Sequence, residues 1–138
     1  MKTYSFEMGE QVLADAIARD FPRYKVVFDP ILKFPLYQLQ QIKDGSKKTT
    51  IKFKKDVLRL PRTELPSVDK ETGRTIGIVT YSKVAVVEYS ELTDEHARDD
   101  GSATLDDLKA VLSEAYGALQ PEDVLTIHYF GKWIDIGQ

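Results

Sequence analysis

Gly45-Ser46-Lys47-Lys48-Thr49-Thr50-Ile51-Lys52-Phe53 is where the pattern of this chain changes. Upstream, Leu36, Leu39 and Ile42 recur at helical spacing behind Pro35, a residue suited to the first position of a helix. Gly45 fits the place just past the helix end, where a left-handed backbone costs glycine little. From Thr49 the period becomes two. Thr49, Ile51 and Phe53 share one face of a strand, and Thr50, Lys52 and Lys54 share the other. The same stretch is strongly basic: Lys43, Lys47, Lys48, Lys52, Lys54 and Lys55 stand against Asp44 and Asp56 in a protein of net charge −3. Such a cluster is either a solvated strand edge or a site for an anion.

The rest of the chain bounds what that site can be. At 138 residues the chain is of ordinary domain size, with 42% hydrophobic and 30% charged residues. It has no cysteine, which excludes disulfides, thiolate nucleophiles and the usual zinc sites. No apolar run approaches the roughly 20 residues that span a bilayer, and no signal-peptide pattern opens the chain, so a cytoplasmic location away from membranes is expected. The acidic balance argues against a protein wrapped along duplex nucleic acid. A local contact with a nucleotide or an RNA loop stays open.

Before the central stretch, Tyr4 to Phe21 reads as an amphipathic helix with Val12, Leu13, Ala16 and Ile17 inward, Ser5 as a cap and Pro22 as a stop. Lys25 to Phe28 is extended. After the stretch, Val57 to Leu60 is a short strand, Arg62 to Arg74 an exposed loop or hairpin tip, and Thr75 to Tyr89 a long β segment bent near Lys83. A brief helix from Leu92 to Arg98, capped by Thr93, precedes a firmer one from Leu105 to Tyr116. Leu105, Leu108, Val111, Leu112, Ala115 and Tyr116 form its apolar stripe. Val124 to Phe130 is the last strand. Strands, then helices, then a returning strand indicate α+β, and a small, strongly curved mixed β-barrel flanked by helices is the expected architecture. Residues 1–28 are expected to form a helical extension packed on a core of residues 29–138.

Two blocks of the chain resemble the ASCH domain family of the PUA-like superfamily. One is Ile42-Lys43-Asp44-Gly45-Ser46-Lys47-Lys48-Thr49-Thr50-Ile51-Lys52. The other runs from Glu91 to Gly101 and continues as Leu105-Asp106-Asp107-Leu108-Lys109. Some small members of that family are amidohydrolases that remove the acetyl group of N(4)-acetylcytidine with a lysine, a threonine and a glutamate. The resemblance places these on Lys47, Thr50 and Asp100, the last a carboxylate one methylene shorter. Ser46 stands where those enzymes have arginine, and with Lys48, Lys52 and Lys54 it completes the expected substrate or nucleic-acid contacts. Other relatives bind RNA or act as nucleases, so a non-catalytic RNA-binding module built on the Lys43–Lys55 cluster is the competing expectation. No metal and no cofactor is implied.

Chemistry sets conditions on the first expectation. Thr50 needs a base, and Lys47 qualifies only if burial or neighbouring charge brings it well below the ordinary lysine value of about 10.4. Lys47 should therefore be the most buried lysine of the cluster and lie within about 3 Å of the Thr50 hydroxyl. Residues three apart on a regular strand face opposite ways, so the turn must still be under way at Lys47 for it to share a site with Thr50.

Overall fold

A computed structural model describes residues 1–136. Its centre is a pair of long antiparallel strands, β7 (Thr75–Glu88) and β8 (Val124–Asp135). Register shifts in β7 between Val79 and Lys83 bend the pair, close to the bend expected at Lys83. The outer edge of β7 is divided between two partners. Its first half takes β6 (Glu64–Asp69) and its second half takes β1 (Lys2–Ser5), both antiparallel. Strand β3 (Leu32–Phe34) adds to β6 in parallel, and β4 (Thr49–Lys52) adds to β8 antiparallel. The result is a six-stranded mixed sheet, curled into a half-barrel. A separate parallel pair, β2 (Lys25–Asp29) with β5 (Val57–Pro61), lies against it. The Thr126 hydroxyl donates to the Arg59 carbonyl at 2.7 Å and ties the two sheets together.

Alternation on these strands sorts side chains into two cores. Val79, Tyr81, Val84 and Val86 face one way and pack with Leu13 and Ile17 of helix α1 (Glu10–Asp20), Leu39 of α2 (Leu36–Asp44) and Leu58 and Leu60 of β5. Ala85, Val87, Leu125, Ile127 and Ile51 face the other way and meet Leu108 and Leu112 of α4 (Leu105–Tyr116) and Ala97 of α3 (Asp94–Asp99). Each fully buried Leu or Ile contributes about 1.5–3 kcal/mol relative to exposure.

The structure departs from the sequence reading in instructive places. The first helix begins at Glu10, not Tyr4: Tyr4 is committed to the sheet, Ser5 caps a short 3-10 turn at Phe6–Met8, and Gly9 at φ 97° interrupts before α1. Val12 is exposed on α1, as are Val111 and Ala115 on α4. Residues 62–74 are not one exposed loop. They contain β6, whose Leu65, Ser67, Val68 and Asp69 are buried, and only the tip at Lys70–Gly73 is a turn. Strand β4 ends at Lys52, so Lys54 lies beyond it, joined to Val57 by an isolated bridge. Among the described residues no helix is long and apolar enough to cross a membrane.

Candidate functional site

The central stretch makes its turn where the sequence places it. Helix α2 closes at Gly45 in the left-handed conformation, φ 85° and ψ 3°. The Asp44 carboxylate accepts from the Ser46 N–H at 2.8 Å, and the Gln41 carbonyl accepts from the Lys47 N–H at 3.0 Å. The chain is thereby folded back over the helix end, and Lys47 precedes β4 by two residues. A second backbone bond, Lys48 N–H to the Asp99 carbonyl at 2.7 Å, stitches this turn to the end of α3. Asp100 is the cap residue there, followed by Gly101. Two blocks far apart in sequence are thus locked side by side.

What that juxtaposition creates is a buried ion pair. Lys47 is 6% exposed, while Lys43, Lys48, Lys54 and Lys55 are exposed and Lys52 is intermediate. Its Nζ donates to the Asp100 carbonyl at 2.8 Å and lies 3.2 Å from Asp100 Oδ1. The Thr49 hydroxyl donates to the same Oδ1 at 3.4 Å. Burial pulls both groups toward neutrality. It moves the Lys47 ammonium below its ordinary value, against the opposing pull of Asp100, and moves the Asp100 carboxyl above its own, against Lys47.

The pair opens into a cleft of about 670 Å³. Thr50, Ile51 and Lys52 of β4 form one side, Phe34 and Lys33 of β3 with Lys70 another, and Leu112, Glu114 and Tyr116 of α4 a third. Thr50 pairs with His128 and Lys52 with Thr126 in the β4–β8 ladder, so both side chains share the sheet face that carries the inter-sheet contacts. The Thr50 hydroxyl makes no hydrogen bond among the described residues, so the expected contact with Lys47 Nζ, which donates to the Asp100 carbonyl instead, is not made. Lys52 Nζ sits 5.0 Å from the Phe34 ring centroid and Lys47 Nζ 5.6 Å from it, so one aromatic ring serves two ammonium groups. Burial lowers Lys52 as well, aided by Arg59 and Lys47 and opposed by Asp29.

Of the residues singled out from sequence, Lys47, Thr50, Lys52 and Asp100 meet in the cleft. Ser46, Lys48 and Lys54 do not line it. Ser46 is spent on the helix-end turn, its hydroxyl donating to the Gln41 carbonyl at 3.4 Å. The Lys48 backbone bridges to α3 while its side chain is exposed, and Lys54 is past the strand end. Sequence reading missed Lys33, Phe34, Thr49, Lys70 and Tyr116. Phe34 and Lys70 carried no motif and meet only because β3 and β6 pair. A hydroxyl beside Thr50 was visible, but its acceptor, Asp100, comes from a segment distant in sequence.

A curled mixed sheet flanked by helices, with this helix–turn–strand entering it, is a fold that the chain shares with solved ASCH domains. Solved structures share it across nearly the whole chain. A protein of Enterococcus faecalis described by the DUF984 family model is 16% identical, covering 94% of this chain and 90% of its own, with a TM-score of 0.53. The ASCH domain of Lactobacillus crispatus is 14% identical over 94% of each chain, also with a TM-score of 0.53. A mutant ASCH protein of Zymomonas mobilis is 9% identical, over 80% of this chain and 70% of its own, with a TM-score of 0.54. At such identities the likeness is one of fold. No family model matches the chain, and no curated protein matches it.

Proposed function

We propose that the chain is an amidohydrolase acting on an acylated nucleoside of the N(4)-acetylcytidine type, with Lys47, Thr50 and Asp100 as its working groups. The observation that carries this reading is the burial of Lys47 against Asp100 in a cleft that Thr50 also lines. A lysine held there only to attract anions gains nothing from losing its hydration, since its value to an anion is its full charge. A lysine that must act as a base gains a great deal, because desolvation brings its neutral form within reach. A neutral Lys47 amine keeps two N–H bonds, and Asp100 offers two acceptors, its carbonyl and Oδ1. With both satisfied, the nitrogen lone pair is left to accept a proton.

In the reaction, Thr50 Oγ gives its proton to the Lys47 amine and attacks the acyl carbonyl carbon. The tetrahedral intermediate collapses as the exocyclic nitrogen leaves, taking the proton back from the Lys47 ammonium. Water then attacks the acyl-threonine ester with Lys47 again as base, releasing the carboxylic acid and freeing Thr50. Asp100 touches the reacting proton only through Lys47, so it is a positioning residue. The test is cytidine release from N(4)-acetylcytidine. Turnover is expected in the wild type and should disappear in Thr50→Ala and in Lys47→Arg, because a guanidinium cannot give up its proton. Wild-type turnover no higher than that of Thr50→Ala, across a panel of acylated bases, would overturn the reading.

A second reading, single-stranded RNA held without chemistry, draws on the exposed Lys48, Lys54 and Lys55, which form no ion pair among the described residues. It calls for affinity that falls with salt, by roughly 0.7 log units per log salt for each phosphate neutralised.

A further inference from the structure

The cleft carries more positive charge than the hydrolytic chemistry uses. Lys47 and Asp100 neutralise each other inside it. That leaves Lys33, Lys52 and Lys70 on its walls against the single carboxylate of Glu114, a formal excess of two positive charges. None of these three lysines forms an ion pair among the described residues. They are gathered by structure, not by sequence, around Phe34. Lys33 is its chain neighbour, the Lys70 N–H donates to its carbonyl at 2.9 Å, and Lys52 Nζ stands over its ring. Three unpaired ammonium groups that line one cleft from three strands or strand ends repel one another, and one of them, Lys52, is partly withdrawn from water. Such an arrangement costs stability unless something anionic fills it.

We propose that Lys33, Lys52 and Lys70 form a subsite for a phosphate monoester, so that the ligand of the cleft is a mononucleotide and not a bare nucleoside. This rests on the hydrolase reading for the identity of the base, but the charge argument stands apart from it. A phosphate monoester carries about −1.5 to −2 at neutral pH, which matches the uncompensated excess. The cleft volume falls within the range of about 300–1,000 Å³ typical of small-ligand sites. Phe34, Tyr37 and Tyr116 supply apolar and aromatic surface for the remainder of the molecule. A long RNA strand fits less well. It needs a basic track leading away from the cleft, whereas Lys48 and Lys54 lie outside the lining and Glu114 sits on the opposite wall.

Calorimetric titration of the full chain with cytidine, cytidine monophosphate and a short single-stranded oligocytidine decides the matter without requiring turnover. The monophosphate should bind about tenfold or more tightly than cytidine, as expected of one or two charge-assisted contacts. In the Lys52→Gln/Lys70→Gln variant that ratio should collapse toward one. Lys70→Gln alone, at an exposed position where folding is not at stake, should lower it part of the way. Equal wild-type affinities for cytidine and its monophosphate, or no binding of either, would overturn the subsite. So would an oligonucleotide that binds far more tightly than the monophosphate with the salt dependence of several phosphates. Turnover of N(4)-acetylcytidine without a phosphate preference would leave the hydrolase standing and remove the subsite. A phosphate preference without turnover of any acylated base would do the reverse.

Discussion

Asp100→Asn isolates the pair on which the site depends. The substitution keeps the backbone carbonyl that accepts from Lys47 and removes only the charge 3.2 Å away. Both side chains are about one-tenth exposed or less, so solvent screens them poorly. At that distance the attraction is about 5 kcal/mol for an effective dielectric near 20, and breaking one side of a buried pair typically costs about 3–5 kcal/mol. Lys47 has an escape, because burial already holds it below its ordinary value and losing Asp100 lowers it further. The sign follows from proton counting. Lys47 titrates lower in the folded chain than in the unfolded one. The unfolded chain therefore binds more protons between the two values, and stability rises with pH across that window. Asp100 is raised, so its contribution is fully present below the unfolded carboxyl value and is lost as pH rises through the folded one. The deficit of Asp100→Asn should then be greatest in acid, where the raised carboxyl is still protonated and its contribution intact. It should shrink as pH rises through the folded carboxyl value, and again toward alkali, where the variant's Lys47, lowered further than the wild type's, sheds its proton first. Urea unfolding of both proteins from about pH 4 to about pH 10 measures it. A deficit that is flat across pH would refute the reasoning, since the pair would then be worth no more than its packing.

Other outcomes follow from buried groups away from the cleft. His128 is 1% exposed, with Nε2 2.8 Å from the Arg59 carbonyl, and burial lowers it from 6.5 to about 3. It is neutral when folded and charged when unfolded in acid, so stability should fall as pH drops from 6.5 toward 3, by at most about 5 kcal/mol in total. His128→Phe should flatten that acid limb in urea titrations, and an unchanged limb would assign it to the carboxylates. Leu13→Ala should cost about 2–5 kcal/mol by thermal or urea unfolding, whereas Val12→Ala, at a position 56% exposed on the same helix, should stay within about 0.5 kcal/mol. Equal costs would mean that α1 is rotated from the placement described.

Local patterns carried a good part of this protein unaided. The α2–Gly45–β4 transition is written in helical spacing, a turn glycine and a change to period two, and each of these acts over a few residues. Helix α4 runs from Leu105 to Tyr116 as its periodicity requires, and Thr93 caps α3 as its hydroxyl suggests. The α+β class and curled sheet followed from the order of elements. What local pattern could not carry was anything that depends on which surfaces meet. Tyr4 reads as helix until β7 offers an open edge. Residues 64–69 read as loop until pairing with β3 and β7 buries them. Val111 and Ala115 fit an apolar stripe, yet they face a cleft that needs apolar surface at its wall. The site divides in the same way. A glycine followed by lysines and threonines could nominate Lys47 and Thr50, because turn and strand geometry is local. The selection of Lys52 over Ser46, Lys48 and Lys54, and the recruitment of Lys33, Phe34 and Lys70, came from strand pairing between segments distant in sequence. Burial is the physical reason: it sets which lysine loses its water and which carboxylate stands beside it, and burial belongs to the assembled sheet and helices, not to any one stretch of the chain.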